Sequence, residues 1–299
     1  MQHNKKFKLY SILLVLPSVV AIFIFIYGFI GFTAIASMIN WTKLQIDWTF
    51  VGFNNYIRLF HTERFIIDLK NTLVFTVLFL ISAIVLGFLL AVLVDRNIKG
   101  ESIFRYFFLF PMAFSFIVTG VIWRWMLAPG NAMTGAQGVN LIFDKLGLEF
   151  LKSGWYTDPK IGIKAVVIAA VWQYAGYIMA LYLAGIRSIP VEIVEAARVD
   201  GASEFDVYRH IILPMMRPIT LSAVIILGHI SLKIFDLVVS MTGPGSGFIT
   251  DVPAFFMYDT TFRGNRFSEG SAIAIILLIL VAILVIPYLI NSSKTEEEQ

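Results

Sequence analysis

No cysteine occurs anywhere in the 299 residues, which removes disulfide staples, thiolate chemistry and cysteine-based metal sites together. Charge is scarce too. Asp, Glu, Lys and Arg make up 14% of the chain, against about 25% in ordinary soluble domains. The net charge of +3 is small and the basic residues lie in short groups beside apolar runs, so no nucleic-acid role is suggested. No G-x-x-x-x-G-K-[ST] phosphate loop is present; the glycine-rich Gly243-Pro244-Gly245-Ser246-Gly247 lacks the lysine and reads as a turn. Neither an H-E-x-x-H zinc motif nor a G-x-S-x-G nucleophile elbow occurs, and the four histidines are scattered. No catalytic residue and no metal ligand is therefore expected. Sustained period-two alternation is missing as well, which excludes a membrane β-barrel.

Apolar residues are what the chain has in excess: 58%, above the ~45–50% of soluble domains. Runs long enough to cross a ~30 Å hydrocarbon layer as helices fall at roughly 10–32, 71–94, 103–128, 162–185, 218–239 and 270–290. Backbone polar groups in lipid must be bonded internally, which at this length means helices. The expected fold is all-α: a polytopic membrane protein with six transmembrane helices, residues 10–290, between tails 1–9 and 291–299. Lys5, Lys6 and Lys8, without an acidic neighbour, place the N-terminus in the cytoplasm, and six crossings return the C-terminus to that side. The first run exceeds the ~7–15 residues of a signal-peptide core and reads as a retained anchor. The outer segment 129–164, with Pro129-Gly130 and Trp155-Tyr156, reads as folded rather than disordered.

One polar loop, 186–217, stands out on the cytoplasmic side. Ser188 is a reasonable helix cap with Pro190 behind it, and Glu192, Glu195 and Arg198 recur on one helical face. Asp200-Gly201 ends that helix, and Ser203 with Asp206 three residues on starts another. Pro214 and Pro218 close it. Two readings fit a helix–glycine turn–helix of this kind: an amphipathic segment that merely lies at the interface, or a handle that another protein grips. Glutamate with paired alanines, in place of lysines and large apolar residues, favours the handle.

The spacing then becomes specific. Glu195-Ala196-Ala197, three residues, Gly201, nine residues, Ile211, one residue and Leu213-Pro214 resemble, position for position, the EAA loop of permease subunits in binding-protein-dependent ABC importers. Asp200-Gly201-Ala202 and the later "FDLVVSMTGPG" are similar to the carbohydrate-uptake, maltose-type branch. The resemblance implies a type I importer permease in a prokaryotic inner membrane, translocating a sugar or polyol by alternating access. It implies that Glu195, Ala196, Ala197, Asp200, Gly201, Ala202, Ile211, Leu213 and Pro214 form a coupling element for an ABC ATPase dimer. It implies, further, a second homologous permease, an extracytoplasmic solute-binding protein, and ATP with magnesium bound by the ATPase alone, leaving this chain without a cofactor.

Candidates for the translocation path come from polar and aromatic residues inside the spans. Trp172, Gln173 and Tyr174 sit deeper in the fourth span than an interfacial aromatic belt should, as a sugar-contacting surface or as packing. Lys233 and Asp236, three apart in the fifth span, would line the path or neutralise each other. The rival function is an ion-gradient-driven secondary carrier, which calls for coupling carboxylates at mid-membrane; Asp236 alone comes near.

Overall fold

The computed structural model describes residues 14–96 and 100–297, without the side chains of 289 and 291–297. The lysines that orient the N-terminus and the first residues of the first expected span lie outside them. The chain divides into two compact units, one of residues up to 62 with 256–278, the other of 63–255 with the residues from 279.

In the first unit, α1 (Leu14–Ala36) carries a π-helical stretch at Phe23–Gly28 and runs four residues past the expected end. Buried Asn55, on α2 (Asn54–Phe60), donates to the carbonyls of Ser37 and Ile39 at 2.8 and 3.0 Å and holds the chain leaving α1. Trp41 stacks on Phe267 at 4.7 Å, and its backbone N–H donates to Ser268 Oγ at 2.6 Å.

The second unit opens with α3 (Glu63–Val94), eight residues earlier than expected. The charges of "ERFIIDLK" lower the local hydropathy, but the buried stripe Phe65, Asp68, Thr72, Phe75, Phe79 keeps helical spacing straight through them. Its 32 residues reach about 48 Å, well beyond the hydrocarbon layer. At the N-terminal end Arg64 Nε lies 2.6 Å from Asp251 Oδ2, and Asn71 Nδ2 donates to the carbonyls of Phe248 and Asp251 at 2.9 and 3.0 Å. The Asp251 side chain is fully buried, so Asp251→Ala breaks a buried ion pair and should cost about 3 kcal/mol, read as a lower melting temperature of the purified protein.

The third expected span is not one helix. α4 (Glu101–Leu109) passes through a 3-10 turn at Phe110–Ala113, and α5 (Phe116–Met126) restarts at an angle of 101°. Pro111 supplies no N–H to an upstream carbonyl, and Ser115 takes the extended backbone of an N-cap, its hydroxyl accepting from Val118 N. A short antiparallel hairpin of β1 (Gly130–Asn131) and β2 (Gly135–Ala136) and then α6 (Gly138–Lys145) follow. Asn140 sews this segment together: it donates to Ser153 O at 2.8 Å and accepts from Trp155 Nε1 at 2.9 Å.

α7 (Gly162–Ile186), close to the expected 162–185, is buried on nearly every side, as an all-round apolar helix should be. Two glycines set its neighbours. A Cβ on Gly87 of α3 would meet Ile178 at 2.6 Å, and one on Gly176 would fall inside the carbonyl of Phe108 on α4. Small residues of this kind let membrane helices approach backbone to backbone.

After the polar loop, α10 (Arg217–Leu232) ends at Lys233, and a separate α11 (Asp236–Met241) begins three residues later. The expected continuous span 218–239 is thereby corrected: Ile234 and Phe235 lie between the two helices and Phe235 is non-helical. α12 (Pro253–Tyr258) precedes α13 (Phe267–Glu297), which extends through most of the segment expected as a tail. Among the described residues four helices are long and apolar enough to cross a membrane, or six if each of two bent pairs counts as one span.

Candidate functional site

The polar loop folds as α8 (Val191–Val199), a glycine turn and α9 (Glu204–Met215), the latter with a π-helical turn at Tyr208–Ile212. Ser188 does not cap α8: its hydroxyl donates to Gly185 O at 2.7 Å at the end of α7, and Pro190 occupies the cap. At the other end Gly201 has φ +88°, and the two closing bonds are Ala202 N to Ala197 O at 3.0 Å and Gly201 N to Arg198 O at 3.1 Å. That is a Schellman turn, which asks for a left-handed residue at this position. Ser203 and Asp206 then cap α9 reciprocally, hydroxyl to Asp206 N and carboxylate to Ser203 N, each at 3.2 Å.

A charged fork spans the turn. Arg198 Nε and Nη2 donate to Glu204 Oε1 and Oε2 at 2.8 and 3.3 Å, and this carboxylate holds the guanidinium pKa above its ordinary value. At the base of the loop Arg187 pairs with Glu101 at 2.9 Å and Asp95 at 3.4 Å, tying the ends of α7, α4 and α3 together. This second cluster escapes a reading of the sequence, because its members sit at the ends of three separate apolar runs and nothing in the spacing joins them.

The motif residues divide by burial. Glu195, Ala196, Asp200 and Gly201 are exposed, as is Val199 at 87%. Ala197 is half-buried and packs against the chain's own core with Val194 and Ala202. Beyond the turn Leu213 is exposed while Ile211 and Pro214 are half-buried. The loop thus rests one face on the membrane helices and presents the other.

The path candidates separate too. Gln173 is buried and donates to Phe114 O at 2.8 Å, the carbonyl left over where the α4–α5 helix breaks. Non-helical backbone at membrane depth needs such a partner. Trp172 stacks on Phe114 at 6.3 Å and meets Trp123 edge-on at 5.9 Å; Tyr174 stacks on Phe116 at 5.7 Å. All three neighbours therefore gather at one break. Lys233 and Asp236 do not join them. They flank the α10–α11 interruption, both exposed, and no ion pair links them among the described residues, so the expected neutralisation along one helix is not formed. No group of three or more His, Asp or Glu that could hold a metal occurs among the described residues.

Residues 83–292 match the family described as binding-protein-dependent transport system inner membrane component, and the chain belongs to that family. It is 43% identical to a probable ABC transporter permease protein of Pyrococcus horikoshii, with 96% of this chain and 97% of that one aligned. It is 35% identical to the xylose/arabinose import permease protein of Haloferax volcanii, over 90% of this chain and 83% of the relative. Among solved structures, a bacterial alginate ABC transporter in complex with an alginate pentasaccharide-bound periplasmic protein contains a chain of TM-score 0.77 and 25% identity, covering 94% of this chain and 93% of that one. The protein is a multi-pass membrane permease of an ABC importer, and the ion-driven carrier has no support.

Proposed function

We propose that this chain pairs with a second, homologous permease and passes a sugar or polyol from an extracytoplasmic binding protein to the cytoplasm, driven by a separate ATPase dimer that binds the ATP and magnesium. The observation that carries the coupling role is the loop itself: Glu195, Ala196 and Asp200 stand exposed on a helix locked by a Schellman turn and the Arg198–Glu204 fork. A lever must be stiff, and this one is held at both ends. The N- and C-termini then lie in the cytoplasm with it. The sugar class is supported by the named specificity of the Haloferax relative.

Trp172 and Tyr174 are the better path residues of this proposal, since flat aromatic faces at a helix break suit a passing sugar ring. Gln173 serves the path by holding the break open. Uptake of labelled sugars into membrane vesicles tests the scheme. Import should need ATP, survive an ionophore, and fall at least about tenfold in Trp172→Ala with the assembly intact. Import that collapses with the ionophore, or an active chain purified without any ATPase, overturns it.

A further inference from the structure

The structure points to a second binding site, unconnected with the transported solute: we propose that a groove between α3 and α9 holds one anionic phospholipid, its phosphate on Arg96 and Arg209. The groove has a volume of about 580 Å³ and an almost wholly apolar wall. Phe88, Leu89 and Val92 form one side, from the last turns of α3; Phe205 and Leu213 form the other, from α9. Leu89, Phe205 and Leu213 are exposed, so the trough is open along its length to whatever surrounds the helices.

Its polar end is what distinguishes it from ordinary lipid-facing surface. Arg96 and Arg209 both line it, and both are exposed. Neither makes an ion pair with a carboxylate among the described residues, whereas the one acid in the lining, Glu204, is taken by Arg198. Asp95, next in sequence to Arg96, is likewise turned to Arg187. Arg96 and Arg209 therefore remain without a carboxylate in ion-pair contact, Asp206 acting on Arg209 only at longer range, beside the Tyr208 phenol and two residues past the end of the long helix α3, at the level of the headgroup layer. Guanidinium is the side chain best shaped to bind a phosphate through two parallel hydrogen bonds. A lipid supplies both halves of the match at once, a phosphate for the arginines and a chain for the trough. A partner protein would have to bring an acidic group on an apolar stem.

The site also has a consequence for transport, which rests on the coupling reading above. α9 carries Phe205 and Arg209 and, at its first turn, the Glu204 that braces the coupling turn. A lipid wedged against α9 fixes the loop's second helix against α3 and stiffens the lever.

The test uses the whole importer, purified with its partner subunits and placed in nanodiscs of phosphatidylcholine, with or without phosphatidylglycerol as the minor component. Native mass spectrometry reads retained phosphatidylglycerol, and ATP hydrolysis with saturating binding protein reads coupling. The wild type should retain one phosphatidylglycerol and hydrolyse ATP faster with it. Arg96→Gln with Arg209→Gln should weaken retention about thirtyfold, at about 1 kcal/mol for each arginine, while hydrolysis in pure phosphatidylcholine stays at the wild-type level. Equal retention by the double variant overturns the site. So does release of a partner subunit by the variant, which would make the groove a protein interface. Retention measured by mass does not depend on transport, so a failure of the coupling reading shows separately, as hydrolysis indifferent to the binding protein.

Discussion

Gly201→Pro should abolish energised import while leaving the membrane helices folded. Gly201 sits at φ +88°, and proline is held near −65°, so the backbone at the turn has to rebuild. Proline also lacks the N–H that reaches Arg198 O at 3.1 Å, and a displaced turn pulls Ala202 N from Ala197 O. With both bonds gone, Arg198 and Glu204 no longer face each other across a fixed spacing. The penalty of about 3 kcal/mol or more falls on an exposed loop, where local unfolding is cheaper than global unfolding. Circular dichroism and detergent extraction should therefore match the wild type, while uptake and co-purification of the ATPase are lost. Gly201→Asn is the companion variant, since asparagine tolerates the left-handed region and should retain part of the activity. Import at the wild-type rate in the proline variant would sink the coupling role.

Gly176→Val should prevent folding. A Cβ at this position falls inside the carbonyl of Phe108, and a second branch makes relief by a rotamer change impossible. α7 and α4 must then separate, and the nearby bond from Gln173 to Phe114 O goes with them. Overpacking in a core costs about 1–3 kcal/mol where side chains can yield, and a backbone oxygen cannot, so the loss should exceed that range. The readout is the yield of monodisperse protein in mild detergent. Gly31→Ala, in α1 with nothing within 4 Å of the added carbon, is the control and should be neutral or slightly stabilising. Normal yield from the valine variant would show that the two helices pack otherwise.

The helix–turn–helix loop was largely legible from residue order because its determinants are local. A capping box is two residues three apart, a Schellman turn is a glycine after a helix, and both formed where the pattern put them. Ser188 failed as a cap because it lies two residues before the N-cap position, which Pro190 holds, and its hydroxyl instead donates to the Gly185 carbonyl at the end of α7. The long apolar runs marked α3, α7 and α13, but hydropathy carried no warning of the 101° bend at Phe114–Ser115 or the interruption after Lys233. A hydropathy window averages Pro111 at the one break, and Lys233 with Asp236 at the other, into the apolar residues around them.

By itself, then, the sequence determined that the chain lives in a membrane as helices, since its apolar runs are long enough to cross as helices and lack the alternation of a barrel, and that it carries a pattern resembling the EAA loop, since that pattern is contiguous. Only the tertiary structure decided what Gln173 does, which of the paired alanines stays exposed, and that Arg187 gathers Asp95 and Glu101. Those outcomes depend on atoms brought together from distant stretches of chain. A helix break in lipid survives only because a side chain elsewhere satisfies the backbone it exposes.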